Sequence, residues 1–214
     1  MSRTITPIAI LLSFFLSGYL VQNPDFHSYQ RLDFRTPNAN DESFKEELSS
    51  KNCHVKASFS VTQSSRGNLE VPEFSTIYLS NCEELVNMES KSNPESWTFM
   101  GRSIFQDLHN LKEEEVYFFK ISQYERKKDP VPALQSLLQS LKNKGYHTNL
   151  RLIPSQSNLE DKINEINFFH LESEEAYKQI SSNKELMSKV ESFNREYLKK
   201  FAYLQARALE TSQR

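Results

Sequence analysis

The segment from Glu115 to Ile153 constrains the fold of this chain more than any other. Glu115-Val116-Tyr117-Phe118-Phe119-Lys120-Ile121-Ser122 gathers aromatic and β-branched side chains, the composition of a strand. Asp129-Pro130-Val131-Pro132 follows, with prolines that a helix tolerates in its first turn. Leu134, Leu137, Leu138 and Leu141 then recur at helical spacing. Gly145 stands where a helix ends in the left-handed region, and Tyr146, Thr148, Leu150 and Leu152 alternate as a second strand. Strand, helix and strand with short links make a βαβ unit, whose strands run parallel with a right-handed crossover.

Upstream, Val55, Ala57, Phe59 and Val61 alternate with Lys56, Ser58, Ser60 and Thr62, the pattern of a half-buried strand. Ser64-Ser65-Arg66-Gly67-Asn68 reads as a turn, and Leu69–Leu79 as a return strand interrupted at Pro72. Short helices are expected at Ser43–Leu48 and Glu83–Met88, and a further strand at Ser96–Met100. After Pro154 the pattern turns helical. Ser157 with Glu160, and Ser182 with Glu185, form capping boxes that open helices running to about Ile180 and about Thr211. Leu186, Val190, Phe193, Tyr197, Phe201, Leu204 and Ala208 advance in steps of three or four along the second, while Glu185/Lys189, Glu191/Arg195 and Glu196/Lys200 pair across its other face. The fold class expected is therefore α+β: a small sheet (hairpin plus βαβ unit) with helices on one face, followed by a long C-terminal amphipathic helical arm. Its divisions are an N-terminal signal-anchor or signal peptide at 1–22, a polar tether at 23–50, the α+β domain at 51–156 and the arm at 157–214.

The first two dozen residues set the compartment. Behind Arg3, Ile5 to Val21 carries no charge, and the next charged side chain is Asp25. A signal peptide needs small residues before its cut, but Leu16 or Phe15 falls at −3 for cuts after Gly18 or Ser17. An uncleaved anchor needs about 17–25 apolar residues, which residues 5–21 meet at the lower limit. Both readings remain open, and both export everything after Gln22, with Arg3 held in the cytoplasm. Outside the cytoplasm, Cys53 and Cys82, the two cysteines of the chain, read as one disulfide. Closing a loop of about 30 residues contributes roughly 3–4 kcal/mol on the chain-entropy account. No Asn-x-Ser/Thr acceptor occurs, which favours a bacterial inner membrane and periplasm over a eukaryotic secretory route.

Chemistry is sparse. A formal charge of −2 gives no reason to expect a nucleic-acid partner. Four glycines, none in a Gly-rich loop, exclude the phosphate-cradling and dinucleotide motifs, and no Gly-x-Ser-x-Gly elbow occurs. His170 stands beside Glu172, Glu174 and Glu175, which offers an acid–base pair or a metal ligand but reads more simply as a solvated acidic turn. His54 and His147 fall on the polar phase of their strands. No catalytic residue, cofactor or metal is assigned.

Val116–Ile153, with Tyr117-Phe118-Phe119-Lys120-Ile121 and Lys144-Gly145-Tyr146, resembles the first βαβ half of a peptidoglycan-binding SPOR domain. Gln123-Tyr124-Glu125 stands where that family has a glycine. The resemblance implies an exported cell-wall ligand-binding module. The function expected from the residues themselves is non-catalytic binding or assembly at the envelope. Residues 5–21 hold the membrane, and Phe193, Tyr197, Phe201 and Leu204 contact a protein partner or a second copy. A wall-binding module is the alternative, and a hydrolase centred on His170 a further one.

Overall fold

The structure is a computed structural model that describes residues 29–211, apart from 86–94, 107, 109–110, 113–114, 126–128 and 160–161. The apolar segment at 5–21 lies outside the described residues, as does most of the helix expected at Glu83–Met88. Eight strands form one antiparallel sheet that closes into a barrel: β1 (Tyr29–Arg35), β2 (Cys53–Gly67), β3 (Thr76–Cys82), β4 (Ser96–Gln106), β5 (Val116–Tyr124), β6 (Tyr146–Ser157), β7 (Glu165–Leu171) and β8 (Leu198–Thr211). Four helices are described: α1 (Asp41–Ser50), α2 (Val131–Lys142), α3 (Glu174–Ser182) and α4 (Lys184–Tyr197).

Around the ring the order is β1-β3-β2-β8-β5-β7-β6-β4, with β4 returning to β1. The chain thus repeats one plan. β4-β1-β3-β2 and β8-β5-β7-β6 are each a four-stranded sheet of the split βαβ type, in which a third strand lies between the two that the first helix connects. In the second half this is β7, between β5 and β6. The two halves join at two seams, β2 against β8 and β4 against β6. Residues 29–50, read from sequence as a tether, supply β1 and α1.

The expected small sheet of a hairpin plus a βαβ unit is overturned by the closed eight-stranded ring, and the long C-terminal arm with it. Helix α4 ends at Tyr197, and Leu198–Thr211 is a strand paired with both β2 and β5. The helix expected from Ser157 is likewise replaced, by the end of β6, strand β7 and the short α3. The reason is steric. Alternate residues Ala202, Leu204, Ala206 and Ala208 point into the barrel, where Phe59, Tyr117 and Phe119 take most of the space and three of the four facing side chains are no larger than a methyl group. Alanine is neutral to strand period and favours helix, so the alternation is masked in the sequence. The steps Tyr197-Phe201-Leu204-Ala208 satisfy a helix only by coincidence. The two expected capping boxes do not form: Ser157 ends β6, and Ser182 is the last residue of α3, its hydroxyl bonded back to the Lys178 carbonyl. Asn40, Ser173 and Asn183 instead accept backbone N–H groups at the starts of α1, α3 and α4.

Inside, the barrel is packed rather than hollow. Phe34, Phe59, Phe99, Tyr117, Phe119 and Phe168 are its largest fully buried side chains. Phe119 stacks on Phe168 at 4.6 Å between centroids, and Phe59 meets both at 5.2 and 5.0 Å. Register shifts interrupt several of the ladders, and one of them sets which way the start of β2 faces. A bulge between Val55 and Ala57 lets Cys53 and Val55 face outward under α1, while Ala57 and Phe59 face in.

Two of the four glycines sit at the seams. Gly67 on β2 faces Ala202, and a Cβ there would overlap the Phe201 carbonyl; Gly101 on β4 faces Pro154, and a Cβ would overlap the Ile153 carbonyl. Backbone sits against backbone at both, so neither neighbour can move aside. Gly67→Ala and Gly101→Ala should each destabilise the barrel by about 1–3 kcal/mol, read from urea unfolding. An unchanged midpoint in either variant would mean that its seam is not drawn this close.

Candidate functional site

Alternation on β5 divides its side chains between two environments. Tyr117, Phe119 and Ile121 enter the barrel core, whereas Phe118, Lys120 and Tyr124 face outward, beneath α2, α3 and α4. Between this outer face and the helices lies a cavity of about 380 Å³. Its walls are apolar: Leu134, Leu137, Leu138 and Leu141 of α2 face Phe118 and Phe169 of the sheet. The leucine stripe recognised in the sequence is therefore the wall of a cavity as well as a core contact.

The floor is polar. Lys120, 9% exposed, donates from Nζ to Asn194 Oδ1 at 2.9 Å. The ammonium also lies 5.2 Å from the Phe193 ring centre and 5.1 Å from that of Tyr203. Asn194 Nδ2 in turn donates to the Tyr203 hydroxyl at 3.4 Å. No carboxylate among the described residues lies within ion-pair distance of Lys120. Further along, Arg151 grips Glu165 with two hydrogen bonds, 3.1 and 2.9 Å, and Tyr124 donates to the same carboxylate at 3.2 Å. Asn167 Nδ2 donates to the buried Tyr146 hydroxyl at 3.3 Å.

Burial raises the Tyr124 pKa above the ordinary phenol value, and the adjacent Glu165 charge raises it further. Burial likewise raises Tyr146, against the opposing pull of its hydrogen bonds to Thr148 and Asn167. For Arg151, burial works downward but is outweighed by Glu165, and the net direction is up. The cavity floor therefore holds its phenols neutral, and the Arg151 guanidinium bonded to Glu165 stays charged.

A second polar group lies at the end of the barrel where β5 begins. His170 Nδ1 sits 2.7 Å from Asn149 Oδ1 and its Nε2 3.9 Å from Glu115 Oε2, to which the Tyr117 hydroxyl donates at 2.7 Å. The His170 ring stacks on His147 at 5.0 Å. The neighbouring carboxylates of the sequence go elsewhere: Glu172 bonds His147 and Glu174 bonds Arg207. No group of three or more metal-binding side chains occurs among the described residues. His54 is exposed.

Cys53 and Cys82 form the expected disulfide, bridging directly opposed positions of β2 and β3. Phe193, Tyr197, Phe201 and Leu204 do not share a helical face. The first two lie on α4 and stack at 5.2 Å, Phe201 lines the cavity from β8, and Leu204 points into the barrel core. The cavity floor went unread in the sequence, although it leaves a signal there. Lys120 within Val116–Ile121 and Asn167 within Ile166–Phe169 are lone polar residues in apolar strands, which on a two-faced sheet need a buried partner or a ligand.

No family model and no curated protein sequence matches the chain. Two solved structures are similar in shape. One is described as a "putative monooxygenase from Lactobacillus acidophilus NCFM", with 10% identity and a TM-score of 0.48 over 85% of this chain and 94% of that one. The other is an "anthrone oxidase-like protein", with 8% identity and a TM-score of 0.48 over 86% and 92%. At this level neither likeness assigns a family or an activity.

The raised phenol pKa values carry a sign for stability. The unfolded chain ionises its tyrosines near pH 10, whereas the folded chain keeps Tyr124 and Tyr146 neutral to higher pH. Their contribution is complete below that value and is lost as pH rises towards the folded pKa. Urea midpoints should fall from about pH 9 to about pH 11, and the fall should be shallower in Tyr124→Phe and Tyr146→Phe. Equal slopes in wild type and variants would contradict this.

Proposed function

We propose that the chain is an exported binding protein whose second half takes up a small, largely apolar molecule in the cavity beneath α2. The carrying observation is the cavity itself, about 380 Å³ with leucine and aromatic walls and a few converging polar groups, the build usual for small-molecule sites. Among the described residues no histidine or cysteine lines it, so binding is a better reading than nucleophilic or histidine-based chemistry. Export rests on the apolar segment at 5–21 and on the Cys53–Cys82 bridge, which an oxidising compartment preserves. No helix among the described residues is long and apolar enough to cross a membrane. Anchoring or cleavage thus falls to the N-terminal segment, and a bacterial periplasmic setting keeps the support of the missing glycosylation acceptors.

The test is occupancy. The oxidised chain should bind the neutral fluorophore N-phenyl-1-naphthylamine with enhanced emission. Leu138→Trp, which fills the cavity from α2, should weaken that binding roughly tenfold or more while leaving the thermal transition within a few degrees. Equal affinity in the filled variant, or no binding by wild type, would overturn the proposal.

A further inference from the structure

Lys120 poses a problem that the barrel does not solve. A buried ammonium is costly unless paired, and this one has an amide oxygen and two aromatic faces but no counter-anion among the described residues. An ammonium has three N–H donors, and Asn194 takes one. Tyr203 adds to the donor supply. Its hydroxyl oxygen accepts from Asn194 Nδ2, and its own hydrogen meets no acceptor among the described residues. Lys120 and Tyr203 both line the cavity. Two carboxylates line it too, but Glu165 is held by Arg151 in a two-point grip, and Glu191 is exposed. Neither meets Lys120.

We infer that the cavity's ligand is a monoanionic amphiphile, with its acid head on Lys120 Nζ and the Tyr203 hydroxyl and its apolar body against the α2 leucines. This rests on the cavity being a binding site, as proposed above. Burial of the ammonium favours the pairing twice over. A charge-assisted hydrogen bond is stronger than a neutral one, and the ligand's head supplies the counter-charge that the lysine lacks. Asn194 and the Phe193 and Tyr203 rings hold the ammonium in place beforehand, so little order remains to be imposed on binding.

A pair of probes differing only in charge tests this. 1-Anilinonaphthalene-8-sulfonate is N-phenyl-1-naphthylamine with one sulfonate added. The oxidised chain should bind the sulfonate more tightly. Lys120→Met should weaken the sulfonate roughly ten- to hundred-fold and leave the neutral dye within about twofold, and Tyr203→Phe should weaken the sulfonate alone by several-fold. Should Lys120→Met fail to fold, wild type and Tyr203→Phe still decide the matter. Binding of the neutral dye with no preference for the sulfonate, or a preference that survives both substitutions, overturns the anionic ligand and spares the cavity. Binding of neither dye by wild type overturns the cavity reading, and the inference falls with it.

Discussion

The barrel depends on a group of aromatic rings that neither half could bury alone. Phe34 and Phe59 come from the first half, and Tyr117, Phe119 and Phe168 from the second, and they meet edge-on, tilted or stacked along the barrel's centre. Rings of this size contribute a large share of the apolar area removed from water, but only if the sheet closes around them. Closure requires a strand with little side-chain volume on its inner face, and β8 meets that need with Ala202, Ala206 and Ala208 around Leu204. It also requires close approach at the seams, which Gly67 and Gly101 permit. Large rings, small facing residues and bare seam positions are thus one packing solution.

The two halves share a plan but have used their outer faces differently. Tyr29 pairs with Cys82 as Val116 pairs with Leu171, so Asp33 is the counterpart of Lys120. In the first half that position is internally satisfied. Arg31 grips Asp33, Thr98 donates to it at 2.7 Å, and Glu47 of α1 completes the group, with Phe44 and Leu48 packed alongside. The Cys53–Cys82 bridge ties the same face. In the second half a lone cation occupies the equivalent site beneath an open cavity. This difference is what nominates one half for binding and the other for stability.

Much of the local structure was legible in the sequence, because local rules governed it. The β5–α2–β6 stretch, the Gly145 turn at φ 80° and the disulfide all follow from residue type and spacing. What failed was long-range. Leu198–Thr211 is rich in helix formers and keeps helical spacing, and only the aromatic rings facing it make it a strand. The same holds for Glu165–Leu171, where the alternation Ile166, Phe168 and His170 gains meaning only once β5 and β6 flank it. The internal repeat was hidden because the halves share topology and not residues. The site was hidden too, since Lys120 and Asn167 read as ordinary polar residues until the sheet's outer face is covered.

The C-terminal residues close the ring instead of projecting from it. Nuclear Overhauser contacts in the labelled, oxidised chain test this most directly. A closed ring gives cross-strand backbone contacts from Ala206 to Tyr117 and from Ala208 to Phe59, matching the registers of β8 with β5 and β2. Sequential contacts between residues three apart, continuous from Tyr197 through Ala208, would mean a helix there and would contradict it.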